Sequence, residues 1–92
     1  MRITFDSAAD AIYVQMYDLG ARGGQTTVDE NGVIIDLDEK GAPTGYEFLC
    51  VSTHAIALDA LPQAVGAAVQ RFIDSGALEV EGFVERTYGE AP

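Results

Sequence analysis

Residues 32–49 read Gly32-Val33-Ile34-Ile35-Asp36-Leu37-Asp38-Glu39-Lys40-Gly41-Ala42-Pro43-Thr44-Gly45-Tyr46-Glu47-Phe48-Leu49. Two runs of alternating polarity flank a turn of charged, Gly and Pro residues. From Val33 to Asp38, Val33, Ile35 and Leu37 fall on one face, and Ile34, Asp36 and Asp38 on the other. From Thr44 to Val51, Tyr46, Phe48 and Cys50 face one way, and Glu47, Leu49 and Val51 the other. Period-two patterning on both sides of a tight turn specifies an antiparallel hairpin with one buried face.

The pattern continues toward the N-terminus. Asp29-Glu30-Asn31-Gly32 places Asn-Gly after the weaker β-run Gln25–Val28, a strong hairpin signal. Asp18-Leu19-Gly20-Ala21-Arg22-Gly23-Gly24 reads as a glycine-rich loop. Ala11–Tyr17 alternates, with Ile12, Val14 and Met16 on one side and Tyr13, Gln15 and Tyr17 on the other. Arg2–Asp6 alternates as well, with Ile3 and Phe5 on one face and the polar residues on the other. Asp6–Asp10 is the turn between them, where Asp side chains bond nearby backbone N–H groups. Toward the C-terminus the period changes. Leu61, Val65, Ala68 and Phe72 recur at helical spacing, flanked by Val69 and Ile73, which predicts a helix over 59–75. Asp59 is its candidate cap, Pro62 suits a first turn, Gly66 permits close approach to the sheet, and Ser75-Gly76 stops it. A final strand is predicted over 78–86 with a bulge at Gly82, followed by a loose tail from Thr87. No internal repeat or linker is read in the chain, so residues 1–92 read as one domain. The fold class is α+β: an antiparallel sheet of about five or six strands packed against one helix in the C-terminal half.

Composition narrows the function. Fifteen Asp and Glu against five Lys and Arg leave a formal charge of −10. This argues against direct nucleic-acid binding, which rests on cationic side chains displacing counterions, and against attraction to anionic lipid. The acids belong to no tail, since they lie in both halves and crowd the turns. The single cysteine, Cys50, forms no internal disulfide and suits a reducing compartment. With no apolar run long enough for a transmembrane helix and no secretory pattern after Arg2, a cytoplasmic protein is expected.

Two segments carry a family resemblance. Ile3-Thr4-Phe5-Asp6-Ser7-Ala8-Ala9-Asp10-Ala11-Ile12-Tyr13-Val14 resembles the opening "YDxxADALYI" signature of DUF2283, a family of unknown function. Gly32–Gly41 followed by Thr44-Gly45-Tyr46-Glu47-Phe48-Leu49 resembles its second signature, a "VILDYDEDGxxxGIEIL" hairpin. The similarity covers roughly residues 2–51, with Ser7 where the family commonly has Pro and an unusual turn at Lys40–Pro43. It implies a small, mostly β protein of bacterial or phage origin. It brings no catalytic residues, and the neighbourhood of toxin-like genes in some relatives implies an antitoxin-like role. Residues 52–92 lie outside it.

Four residue groups qualify as candidate chemistry. Asp36-Leu37-Asp38-Glu39-Lys40-Gly41, with Glu47 eleven residues after Asp36, echoes a calcium loop. Lys40, Pro43 and the strand flanks oppose that reading, which leaves a solvated turn. Asp6 and Asp10 flank a turn, where backbone bonding explains them better than acid–base work does. Cys50 and His54 are four apart, but Cys50 falls in register with Tyr46 and Phe48 on one strand face, where a thiol acts as a small hydrophobe, and no third group is identifiable. No catalytic, cofactor or metal site is therefore assigned, and the chain is read as a non-enzyme. The tyrosines remain. Tyr13 and Tyr17 stand on the face opposite the apolar row, among acids. Either that face is a contact surface, or the C-terminal strand and cross-strand packing cover it. The candidate interaction surface is Tyr13, Tyr17, Tyr46, Asp36, Asp38 and Glu47. The expected function is a protein–protein interaction module, antitoxin-like or an inhibitor of a basic partner, homodimeric through an edge strand or the tyrosine face. The alternative is a small-molecule or metal-binding module with a cleft lined by Tyr13, Tyr46 and the Asp36/Asp38 row.

Overall fold

A computed structural model describes residues 1–16, 25–76 and, for the backbone, 85–89. Among the described residues six strands form one antiparallel sheet: β1 (Arg2–Asp6), β2 (Ala11–Gln15), β3 (Gln25–Val28), β4 (Ile34–Leu37), β5 (Pro43–Leu49) and β6 (Glu85–Gly89). Their spatial order is β3-β4-β5-β2-β1-β6. A 3-10 turn (Leu58–Ala60) and one helix, α1 (Gln63–Asp74), follow β5. The α+β class expected from the alternation is the observed one.

One of the two alternating faces is the core. Ile3, Phe5, Ile12, Val14, Val33, Tyr46 and Phe48 on the sheet meet Leu61, Val65, Ala68, Val69 and Phe72 of the helical segment, all buried. Burial of a Val, Leu, Ile or Phe side chain contributes about 1.5–3 kcal/mol, and this face holds the helix in place. No helix among the described residues is long and apolar enough to cross a membrane.

Two hairpin loops are built alike, and the shared motif is a local repeat that polarity patterning passes over. Asp29-Glu30-Asn31-Gly32 and Asp38-Glu39-Lys40-Gly41 both read Asp-Glu-x-Gly. In the first, Gly32 N–H donates to Asp29 O (3.1 Å) and Asp29 N–H to Val33 O (3.0 Å). Asp29 Oδ1 accepts from Asn31 N–H (2.8 Å) and Val33 N–H (2.9 Å). In the second, Gly41 N–H donates to Asp38 O (3.0 Å) and Asp38 N–H to Ala42 O (2.8 Å). Asp38 Oδ1 accepts from Lys40 N–H (2.8 Å) and Ala42 N–H (2.9 Å). Gly32 and Gly41 take φ +79 and +82, the left-handed position of a three-residue hairpin loop, where a side chain would be strained. Asn31-Gly32 thus ends a three-residue loop.

Four sequence expectations change. The helix begins at Gln63, because Leu58–Ala60 closes its own 3-10 turn and Asp59 lies inside that turn instead of capping α1. Gly66 does make a close approach, but to the turn: a Cβ there would meet Leu58 O at 3.0 Å. The last strand is Glu85–Gly89, so Thr87–Gly89 belong to the sheet and pair with Arg2–Thr4 where a loose tail was expected. Backbone groups on the free side of β1 supply the reason, since a ladder there satisfies them. Residues 78–84 of the predicted strand, the Gly82 bulge among them, lie outside the described residues, as do Tyr17 and the loop 18–24. The fourth change concerns Cys50. β5 ends at Leu49, and Cys50 turns out of register with φ 56, exposed. Val51 takes the buried place instead. Val51 N–H donates to Asp10 O (3.2 Å), and Asp10, itself at φ 51, accepts at its carboxylate from Ser52 N–H (3.1 Å) and Ser52 Oγ–H (2.7 Å). This clasp between the β1–β2 turn and the end of β5 redirects the chain toward α1.

Candidate functional site

The face of the sheet turned away from α1 is built around Tyr13. Period two places Thr4, Tyr13, Glu47, Ile34 and Val28 in one row across five strands. Arg2, Gln15, Gly45, Asp36 and Thr26 form the next row. Gly45 sits directly opposite Gln15, diagonal to Tyr13, and its missing side chain opens a trough. The Tyr13 ring fills it. A Cβ on Gly45 would meet the Tyr13 hydroxyl, its Cζ at 2.8 Å and Val14 O at 3.2 Å. Lying over the glycine, Tyr13 reaches across β5 and donates from Oη to Asp36 Oδ2 at 2.8 Å. Thr26 Oγ1 donates to Asp36 Oδ1 from the other side (3.3 Å). Thr44, the extra residue at the irregularity between β4 and β5, donates from Oγ1 to Asp36 O (3.3 Å). The result is a track, Tyr13–Asp36–Thr26, that spans β2 to β3 and holds one carboxylate half-buried beside an aromatic ring. Glu47 lies next to Tyr13 and Ile34 in the same row. Leu49 (49% exposed) and Val28 (61% exposed) add apolar surface on the same face.

Of the predicted surface residues, the structure brings together Tyr13, Asp36 and Glu47. Tyr46 is only 4% exposed and belongs to the core under α1, as its shared phase with Phe48 requires. Tyr13 and Tyr46 therefore point to opposite faces, and the cleft expected between them and the aspartates does not form. Asp38 lies in the hairpin loop, its Oδ1 occupied by two backbone N–H groups. Tyr17 lies outside the described residues. Asp6 and Asp10 serve separate partners: Asp6 Oδ1 accepts from Ala8 and Ala9 N–H (3.0 and 3.3 Å), and Asp10 holds Ser52. Among the described residues, no group of three or more His, Cys, Asp and Glu is placed to hold a metal ion. Sequence reasoning missed Gly45 and Thr26. The signal for Gly45 was a glycine inside a strand pattern, which marks close approach by another group.

A second concavity, of about 200 Å³, lies at the far end of β5. Val33, Phe48, Leu49 and Ile56 line it, together with Cys50 and His54. The turn out of register brings these last two to one pocket, although the strand phase separated them. Thr53 Oγ1 lies 2.9 Å from His54 Nδ1 and donates to Cys50 O at 3.2 Å.

This geometry defines the class, a small α+β domain with one sheet face covered by α1 and the other, among the described residues, carrying no packed element. The chain belongs to the family described as protein of unknown function (DUF2283), whose model matches residues 2–52. That match contains the Asp6–Asp10 turn, the Tyr13–Gly45–Asp36 track and both Asp-Glu-x-Gly loops. No curated protein and no solved structure matches the chain.

Proposed function

We propose that the chain is a non-enzymatic interaction module of the cytoplasm whose contact surface is the sheet face around Tyr13, Asp36 and Glu47, and that its partner is a cationic protein. The supporting observation is the Tyr13–Asp36–Thr26 track. It fixes an aromatic ring and a carboxylate in place before any partner arrives, so little side-chain entropy remains to be lost on binding. Exposed Leu49 and Val28 flank it with apolar area, the composition that contact surfaces favour. A charge of −10 speeds encounter with a basic surface more than it strengthens the final complex. In its concrete form the role is antitoxin-like or inhibitory, with the acidic face covering a basic surface that would otherwise meet nucleic acid. The test is capture of partners from the native host by the wild-type chain and by an Asp36→Asn, Glu47→Gln double variant. A partner released by added salt and lost by the double variant supports the reading. No partner, or one indifferent to both, overturns it.

One observation favours a second reading, a small-molecule module: the pocket of mixed polar and apolar lining beside Cys50 and His54. A thermal-shift screen of small apolar and thiol-reactive compounds tests it, and a shift abolished by filling the pocket with Ala55→Phe supports it. The absence of any shift removes it.

A further inference from the structure

We infer that the open edge of β3 pairs with β3 of a second copy of this chain, antiparallel, about a two-fold axis at Thr27. The reasoning starts from backbone groups. Asp29 N–H donates to Val33 O at the loop, so hydrogen-bonded pairs alternate from there along β3 and β4. Thr27↔Ile35 and Gln25↔Leu37 are hydrogen-bonded pairs, while Val28↔Ile34 and Thr26↔Asp36 are not. Thr26 and Val28 therefore direct both their N–H and C=O groups away from β4. β3 ends the strand order, and all four of its residues are exposed.

Exposed edges are ordinarily blunted by charge, proline or a bulge. β3 has none of these: Gln25-Thr26-Thr27-Val28 is uncharged in a chain with twenty charged residues among 92. The opposite edge, β6, carries Glu85 and Arg86 in its sequence. A cationic partner finds no acid to grip on β3, whereas a second copy finds a neutral edge that complements itself. Only one register engages every outward group. Thr26 must face Val28 of the second copy, and Val28 must face its Thr26, each pair exchanging both ladder bonds. Thr27 then faces its counterpart on the axis. This register keeps parity, so two six-stranded sheets become one continuous sheet with both helices on the same side and both Tyr13 faces on the other. A shift by one residue would oppose outward groups to inward ones. Val28, the more exposed of the two exposed large hydrophobic side chains among the described residues, loses water against Thr26 of the second copy.

Because Thr27 meets itself, charge at this position is diagnostic. Sedimentation velocity on the full chain, over a range of protein and salt concentrations, is the experiment. The wild type should shift toward twice the monomer mass as concentration rises. Added salt should strengthen the association, since screening relieves repulsion between two strongly negative copies. Thr27→Lys and Thr27→Glu should each weaken it several-fold by opposing like charges across the axis. An equimolar mixture of the two variants should recover it, with the mixed species visible by native mass spectrometry. A wild type that stays monomeric throughout overturns the inference. So does a dimer that neither variant weakens, or a pair of weakened variants that do not rescue each other. Loss of self-association with retained capture of a cationic partner would remove this inference and leave the reading of the Tyr13 face intact.

Discussion

Gly45 makes the Tyr13 face possible, and it does so by lacking a side chain. The Tyr13 ring occupies the space above it, and only from there does the hydroxyl reach Asp36. Gly45→Ala should expel the ring, break the Tyr13–Asp36 bond and cost about 1–3 kcal/mol, as overpacking does elsewhere. Urea denaturation measures this. In a Tyr13→Ala background the same substitution should cost clearly less, because the clash and the bond are already gone. Equal costs in the two backgrounds would show that the ring and the glycine do not act together. At this scale the sequence was partly legible. Alternation put Tyr13 and Asp36 on one face, but their bond spans 23 residues and depends on β2, β5 and β4 standing side by side. Cys50 was misplaced for a related reason. A non-glycine residue at φ 56 is rarely signalled locally, and here the Asp10–Ser52 clasp, 42 residues apart in sequence, accompanies it.

At the scale of elements, the two Asp-Glu-x-Gly loops set the register of β3–β4–β5. In each, a single carboxylate oxygen satisfies two loop N–H groups while the main chain closes around it. Asp29→Ala and Asp38→Ala should therefore destabilise by similar amounts, about 1–2 kcal/mol each, since each removes two bonds from loop N–H groups to a carboxylate at largely exposed sites. Asp29→Asn and Asp38→Asn keep an acceptor and should cost distinctly less. Thermal or urea unfolding of the four variants checks this. A large disparity between the Ala variants would contradict the equivalence of the loops. The strands and faces on either side were readable because a period of two needs only neighbours in the chain. The start of α1 was not. Asp59 suits a helix cap and a 3-10 turn equally, and the choice follows from how Leu58 and Gly66 pack. The pairing of Thr87–Gly89 with β1 escaped notice likewise, since it joins opposite ends of the chain.

For the molecule as a whole, the helix divides the sheet into two faces of different character. One is a dry core of aliphatic and aromatic side chains. The other holds Tyr13, Asp36 and Glu47 between exposed Leu49 and Val28, on a chain of net charge −10. Acids concentrated in turns and on the outer face keep such a chain soluble, so charge alone does not define a contact surface; the fixed ring and carboxylate do. The two proposed contacts separate by their response to salt, which should weaken the grip on a cationic partner and strengthen self-association along β3. The most direct measurement is methyl-detected NMR of the Ile-, Leu- and Val-labelled chain, titrated with the partner captured from the host. The account predicts that Ile34 and Leu49 shift, while Val65 and Val69 on the buried side of α1 stay in place. Shifts confined to the exposed side of α1, or spread evenly over both faces, would contradict it.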